Sequence, residues 1–166
     1  AGNQGYVEHG EWSSQPGSMN NAHRMTTSTD ATVSWTFVTG AAGVYDIYAT
    51  WPEGEGHAPR AQFRMTSGPS PLGERTIDQR IPPHNGMYHG QVWEHLGTYQ
   101  IEKPGLLTVW LQSQGEGVLV ADSIMLVEVT EREPQVTAVT IDGSTWNMDP
   151  FLLQKQDDTD RKSTRL

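Results

Sequence analysis

Residues 32–38 read TVSWTFV, and this short stretch decides the fold class. Side chains of a strand alternate between two faces, whereas a helix repeats its apolar face about every 3.6 residues. Val33, Trp35 and Phe37 therefore share one face, with Ser34 and Thr36 opposite. The same alternation sets Tyr45, Ile47, Ala49 and Trp51 against Asp46, Tyr48 and Thr50, and Ala61, Phe63 and Met65 against Gln62, Arg64 and Thr66. Further strands are expected at 75–80, 95–102, 106–112 and 118–129. Turn-forming stretches rich in Gly and Pro separate them at 39–43, 52–59, 67–73, 82–90, 103–105 and 115–117. No stretch of ten or more residues combines helical spacing with a cap, so a parallel sheet with crossover helices is excluded. The reading is all-β, an antiparallel β-sandwich.

The composition narrows the rest. Twenty acidic against eleven basic residues give a net charge of −9, and no basic stripe offers itself to phosphates, so nucleic acid is a poor partner. The longest apolar run, Val118–Val129, is interrupted by Asp122 and Ser123, and nothing here inserts into a membrane or serves as the core of a signal peptide. An exported protein would carry its leader outside this sequence. With no cysteine in the chain, stability must come from packing. Seventeen Gly, ten Pro and six Trp fit an extracellular sandwich better than a helical cytoplasmic enzyme.

One domain is expected over residues 5–129. From 130 to 166 the sequence reads as a linker or the start of a following domain: a polar connector at 130–134, a lone strand-like run at 135–141, and a tail from 154 onward too polar to order.

The segments GYVEHGEW, GVYDIYATW, TIDQR, WEHLGTYQI and VLVADSIML also fall in a telling order. They resemble the golvesin and xanthan-lyase carbohydrate-binding-like domain, with its G-x-W start, G-x-Y-x-V-Y-A-x-W strand, V-D-Q, W-x-x-L-G-x-Y and A-D-A-V. The corresponding residues here are Gly10 and Trp12, Gly43–Trp51, Ile77–Gln79, Trp93–Tyr99 and Ala121–Ile124. The resemblance implies a jelly-roll β-sandwich of the kind attached to extracellular polysaccharide lyases, hydrolases and surface proteins of bacteria. It also exposes an insert, RIPPHNGMYHGQV, between Gln79 and Trp93, where the family has only a few residues.

A glycan-binding module needs exposed aromatic faces, with amides, carboxylates and guanidinium groups beside them to meet hydroxyls. Trp35, Phe37, Tyr45, Ile47 and Phe63 fall on the core faces, and Trp12, placed at the end of the first strand, and Trp93 read as anchors. Trp110 has the opposite parity from Val109 and Leu111, so it points outward together with Gln112. Trp51 and Glu53 stand at the mouth of the PEGEGHAP loop, and Tyr88 lies within the insert. These five form the expected ligand-binding set. His84, His89 and His95 fit no zinc spacing and read as solvated loop residues. Glu53, Glu55, Asp78 and Asp122 are hard oxygen donors that a structural calcium would use, but no D-x-D-x-D-G loop is present, so no cofactor is assigned. Asp122 reads as a buried carboxylate satisfied by backbone N–H groups.

No nucleophile elbow, H-E-x-x-H, phosphate loop or cysteine nucleophile occurs, and the paired Glu53 and Glu55 have nothing to desolvate them. The expected function is thus a non-catalytic module that binds polysaccharide and anchors a larger secreted protein. The alternative is a structural or adhesion spacer making protein contacts.

Overall fold

The computed structural model describes residues 5–18, 21–130, 138–141, 144–148 and 153–155. The strands, in chain order, are β1 (Tyr6–His9), β2 (Ser13–Pro16), β3 (Ala22–Thr26), β4 (Thr32–Thr39), β5 (Gly43–Thr50), β6 (Ala61–Ser67), β7 (Ser70–Ile77) and β8 (Gly86–Tyr88). They continue with β9 (Gln91–Ile101), β10 (Gly105–Ser113), β11 (Leu119–Ala121), β12 (Ser123–Val129), β13 (Ala138–Ile141), β14 (Ser144–Met148) and β15 (Leu153–Lys155). No helix occurs among the described residues.

The chain divides into two units, Ala1–Thr130 and Glu131–Leu166. In the first, a five-stranded sheet ordered β1-β4-β10-β6-β7 faces a four-stranded sheet ordered β12-β5-β9-β8. A three-stranded sheet, β11-β3-β2, completes the unit. The chain switches sheets at nearly every step, from β4 to β5 to β6 and from β9 to β10 to β12, which is the winding of a jelly roll. All the strand pairs are antiparallel.

Alternation puts the core where the sequence placed it. Val33 and Trp35 of β4, Phe63 and Met65 of β6, and Leu107, Val109 and Leu111 of β10 face Tyr45, Ile47 and Ala49 of β5, and all are buried. Phe37 is only partly buried and packs against this core from its edge. Tyr6 leans on Trp35 with ring centroids 5.6 Å apart. Its hydroxyl donates to Glu8 at 2.6 Å, and Arg24 grips Glu8 through both guanidinium arms at 2.7 and 2.8 Å, joining β1 to β3. Arg24 holds the Glu8 carboxyl below its ordinary range, while burial pushes the Tyr6 hydroxyl up.

Two of the quoted motifs are seen to be structural clasps. Gln79 is 0% exposed; its amide donates to Val120 O at 2.7 Å and its Oε1 accepts from Val120 N at 2.9 Å. One side chain thus gives β11 the pair of bonds a neighbouring strand would give. In the L-G-x-Y motif, Tyr99 folds back over Gly97, where an added Cβ would stand 2.5 Å from the phenol oxygen and would push the ring aside.

Several expectations change. The stretch 67–73 is mostly strand: Ser67 pairs directly with Ser70, so the turn is only Gly68 and Pro69 and β7 begins at once. Trp12 does not end the first strand, since β1 stops at His9 and Trp12 precedes β2. In the second unit β13 is not alone but pairs with β14, and β14 with β15. Gln154 and Lys155 of the expected disordered tail belong to β15, and residues 156–166 lie outside the described residues.

Candidate functional site

The outer face of the five-stranded sheet is built by register. Trp110 of β10 stands beside Ser34 of β4 on one side and Arg64 of β6 on the other; Gln112 stands beside Thr32 and Gln62. Because Val109 and Leu111 are buried, their neighbours Trp110 and Gln112 must face away from the core, and both are half-buried. The Arg64 guanidinium lies 5.9 Å from the Trp110 ring centroid, a cation–π pairing that holds the indole against the sheet.

A row of amides crosses the strands next to this ring. The Gln112 amide donates to Gln62 Oε1 at 2.8 Å, Gln114 donates to the same oxygen at 2.6 Å, and Gln62 donates to Glu74 of β7 at 3.1 Å. Toward the other end of the face, the Thr36 and Thr108 hydroxyls meet at 3.1 Å. A partly exposed indole with a guanidinium, amides, hydroxyls and one carboxylate around it offers an apolar surface and directional partners for hydroxyl groups. Arg64, Gln62 and Gln114 were not among the residues chosen from sequence. The signal was available, since Gln62 and Arg64 share the outward parity of β6, but only the register shows that they border Trp110.

Of the five expected ligand-binding residues, this face gathers Trp110 and Gln112. Tyr88 lies on β8, at the edge of the opposite sheet, where it is 52% exposed and His89 sits edge-on at 4.1 Å between centroids. Glu53 is exposed in the loop after β5. The expectation for Trp51 is overturned: the ring is only 2% exposed, because the insert folds over it, and its Nε1–H donates to Ile81 O at 3.0 Å. A buried ring has no face to offer a sugar.

The insert itself is a hairpin. β8 pairs with the start of β9, and the turn residues His89 and Gly90 have φ of 50° and 74°, the left-handed pair of a two-residue hairpin loop. Two of the three histidines read as solvated are held by carboxylates. His84 Nδ1 is 3.0 Å from Glu94 Oε2, and His95 Nε2 is 3.0 Å from Asp46 Oδ1. Thr98 also donates to Asp46 Oδ1 and lies 3.3 Å from the same His95 Nε2. A nucleophile–base relay needs the hydroxyl and the carboxylate on opposite imidazole nitrogens, and here one nitrogen serves both.

The Asp122 reading changes too. Its Oδ1 accepts from the Ser123 hydroxyl at 3.1 Å rather than from backbone, and its Oδ2 is buried without a hydrogen bond of normal geometry. Burial pushes the carboxyl above its ordinary range, partly offset by Ser123, Ser18 and His23. Asp78, another of the hard donors, is paired with Arg80 at 2.7 Å. Among the described residues no three His, Asp or Glu side chains gather as a metal would require.

Comparison with known proteins adds to this geometry. The family model described as "Golvesin C-terminal domain" matches residues 1–128. The chain belongs to this family. Among solved structures, a Paenibacillus xanthan lyase is similar to it at TM-score 0.64 and 22% identity, over 78% of this chain and 12% of the lyase chain. At that identity the likeness establishes the fold, and the chain spans only a small part of the lyase. The Agl-KA catalytic domain is similar at TM-score 0.44 and 12% identity, over 83% of this chain and 30% of that one. No curated protein sequence matches the chain. Membership accounts for the order of the sequence motifs, two of which the fold explains as the Gln79 clasp and the Gly97–Tyr99 fold-back.

Proposed function

We propose that this golvesin-type domain is a non-catalytic accessory module that binds extracellular or cell-surface polysaccharide and anchors a larger secreted bacterial protein to it. The observation that carries the reading is the Trp110 face, where an outward indole, Arg64 and the Gln62–Gln112–Gln114 row share one flat sheet surface. That a xanthan lyase contains a similar fold supports a polysaccharide setting. An aromatic contact contributes about 0.5–1.5 kcal/mol beyond area burial, so one ring and a few hydrogen bonds give affinities on the order of micromolar to millimolar. No cofactor is part of the reading.

The test is affinity electrophoresis of the full chain through gels cast with neutral and acidic polysaccharides, with and without a chelator. Trp110→Ala should lose retardation several-fold with a melting temperature close to that of the parent, because the half-exposed ring leaves no closed cavity. Chelation should change nothing. Retardation indifferent to Trp110→Ala would move the site off this face, and absence of retardation by every polysaccharide would favour a second reading. In that reading the module is an adhesion spacer, and the exposed Ile81, Met87 and Tyr88 of the insert meet a protein.

A further inference from the structure

A cleft of about 400 Å3 opens at one end of the β11-β3-β2 sheet, a different sheet from the one that carries Trp110. Its apolar lining is Trp12, Met25 and Val118. The Trp12 Nε1–H is spent on His9 O at 3.1 Å, so the indole offers the cleft hydrocarbon and π surface rather than a donor. Gln15 and Ser28 supply an amide and a hydroxyl around it, and Ser13, whose hydroxyl donates to Met25 O at 3.3 Å, offers an acceptor. Glu11 is the only charged residue among the described residues of the lining. Arg24, the nearest guanidinium in sequence to β3's end of the cleft, is committed to Glu8 and to Trp12 O.

We infer that this cleft is a second saccharide site, one that takes a neutral pyranose. Three features point there. The volume lies in the lower part of the range of small-molecule clefts, roughly 300–1,000 Å3, and admits a pyranose ring. A half-buried indole faced by hydroxyls and an amide matches the two-sided chemistry of a pyranose, apolar on its C–H face and hydrogen-bonding at its rim. Among the described residues the lining carries one carboxylate and no guanidinium or ammonium, a charge that repels a uronate and tolerates an uncharged sugar. The inference rests on the accessory-module reading for its ligand class but on none of the Trp110 residues.

The experiment is a 1H–15N NMR titration of the full chain with cellotriose, mannotriose and tri-galacturonate. The signals to follow are the Trp12 indole and the amides of Ser13, Thr27 and Ser28. A neutral trisaccharide should shift them saturably, with a dissociation constant on the order of 1 mM, and the uronate should bind at least about tenfold more weakly. Thr27 is exposed and lines the cleft, so Thr27→Trp fills the mouth without touching the core and should erase the shifts. Trp110→Ala should leave them in place. Failure of polysaccharide retardation with these shifts intact refutes the Trp110 face alone. The cleft inference is overturned if neither neutral sugar gives saturable shifts in the tens of millimolar. It is overturned equally if the shifts survive Thr27→Trp, if the uronate binds as well, or if Trp110→Ala abolishes them.

Discussion

Replacing Gln79 by leucine should damage the fold far more than an ordinary loop substitution. The amide is fully buried and exchanges two hydrogen bonds with the backbone of Val120, which is itself buried. Leucine matches the volume and fills the space, but it strands one N–H and one C=O where water cannot reach. Each orphaned group costs about 1–3 kcal/mol, and removing the buried amide recovers part of that, leaving a net loss of about 2–4 kcal/mol. For a domain of this size each kcal/mol lowers the melting temperature by roughly 3–5 °C, so the expected fall is about 6–20 °C. Calorimetry on the full chain measures it. Gln79→Glu sharpens the test: its carboxylate can still accept from Val120 N but opposes Val120 O, so the loss should shrink as the pH falls far enough to protonate it. A leucine variant melting within about 1 °C of the parent would falsify the clasp, since water or a shifted strand would then be satisfying Val120.

Other outcomes follow from the same packing. Trp51→Phe keeps the buried ring but removes the donor to Ile81 O; it should cost about 1–3 kcal/mol and speed proteolysis within 80–92, with no change in cleavage counting against the insert being tied there. Phe63→Ala should cost about 3–5 kcal/mol by opening a core cavity, as a denaturant titration will read. Asp122 has a folded pKa above its ordinary value, so its stabilising contribution is present below about pH 4 and is lost as pH rises through the folded pKa. Asp122→Asn should therefore melt near the parent at low pH and increasingly above it toward neutrality; a gap that stays constant with pH would show that burial does not penalise this carboxylate.

The strands legible in the sequence are those with one wet and one dry face. β4, β5, β6 and β10 alternate because the core demands it, and Trp35, Ile47 and Phe63 could be placed from parity alone. β7 and β8 are edge strands, mostly exposed on both faces, so no periodicity marks them and their Gly and Pro residues read as turns. The β9 register shifts opposite Ile47 and Tyr48, where Leu96 falls between the paired His95 and Gly97, and this break hid the strand's first residues. The candidate site divides the same way. Trp110 and Gln112 face outward by local parity, whereas the burial of Trp51 depends on a segment some thirty residues later folding over it, which no local pattern records. Arg64 joins Trp110 only through the antiparallel register, a long-range fact.

The hairpin of β8 and β9 sits at the open edge of its sheet, with its root tied to the sandwich and the side chains near its tip exposed. Trp51 holds Ile81, Glu94 holds His84, and the Asn85 side chain accepts from His95 N, yet Met87 and Tyr88 project beyond these anchors into solvent. A two-stranded ribbon of this kind can grow outward by adding residues in facing pairs, each step extending it by about 3.4 Å and leaving every anchored strand in register. Reach therefore becomes an adjustable dimension, separable from stability: relatives built on the same sandwich can present their side chains at different distances from it by changing the length of the ribbon and nothing beneath it.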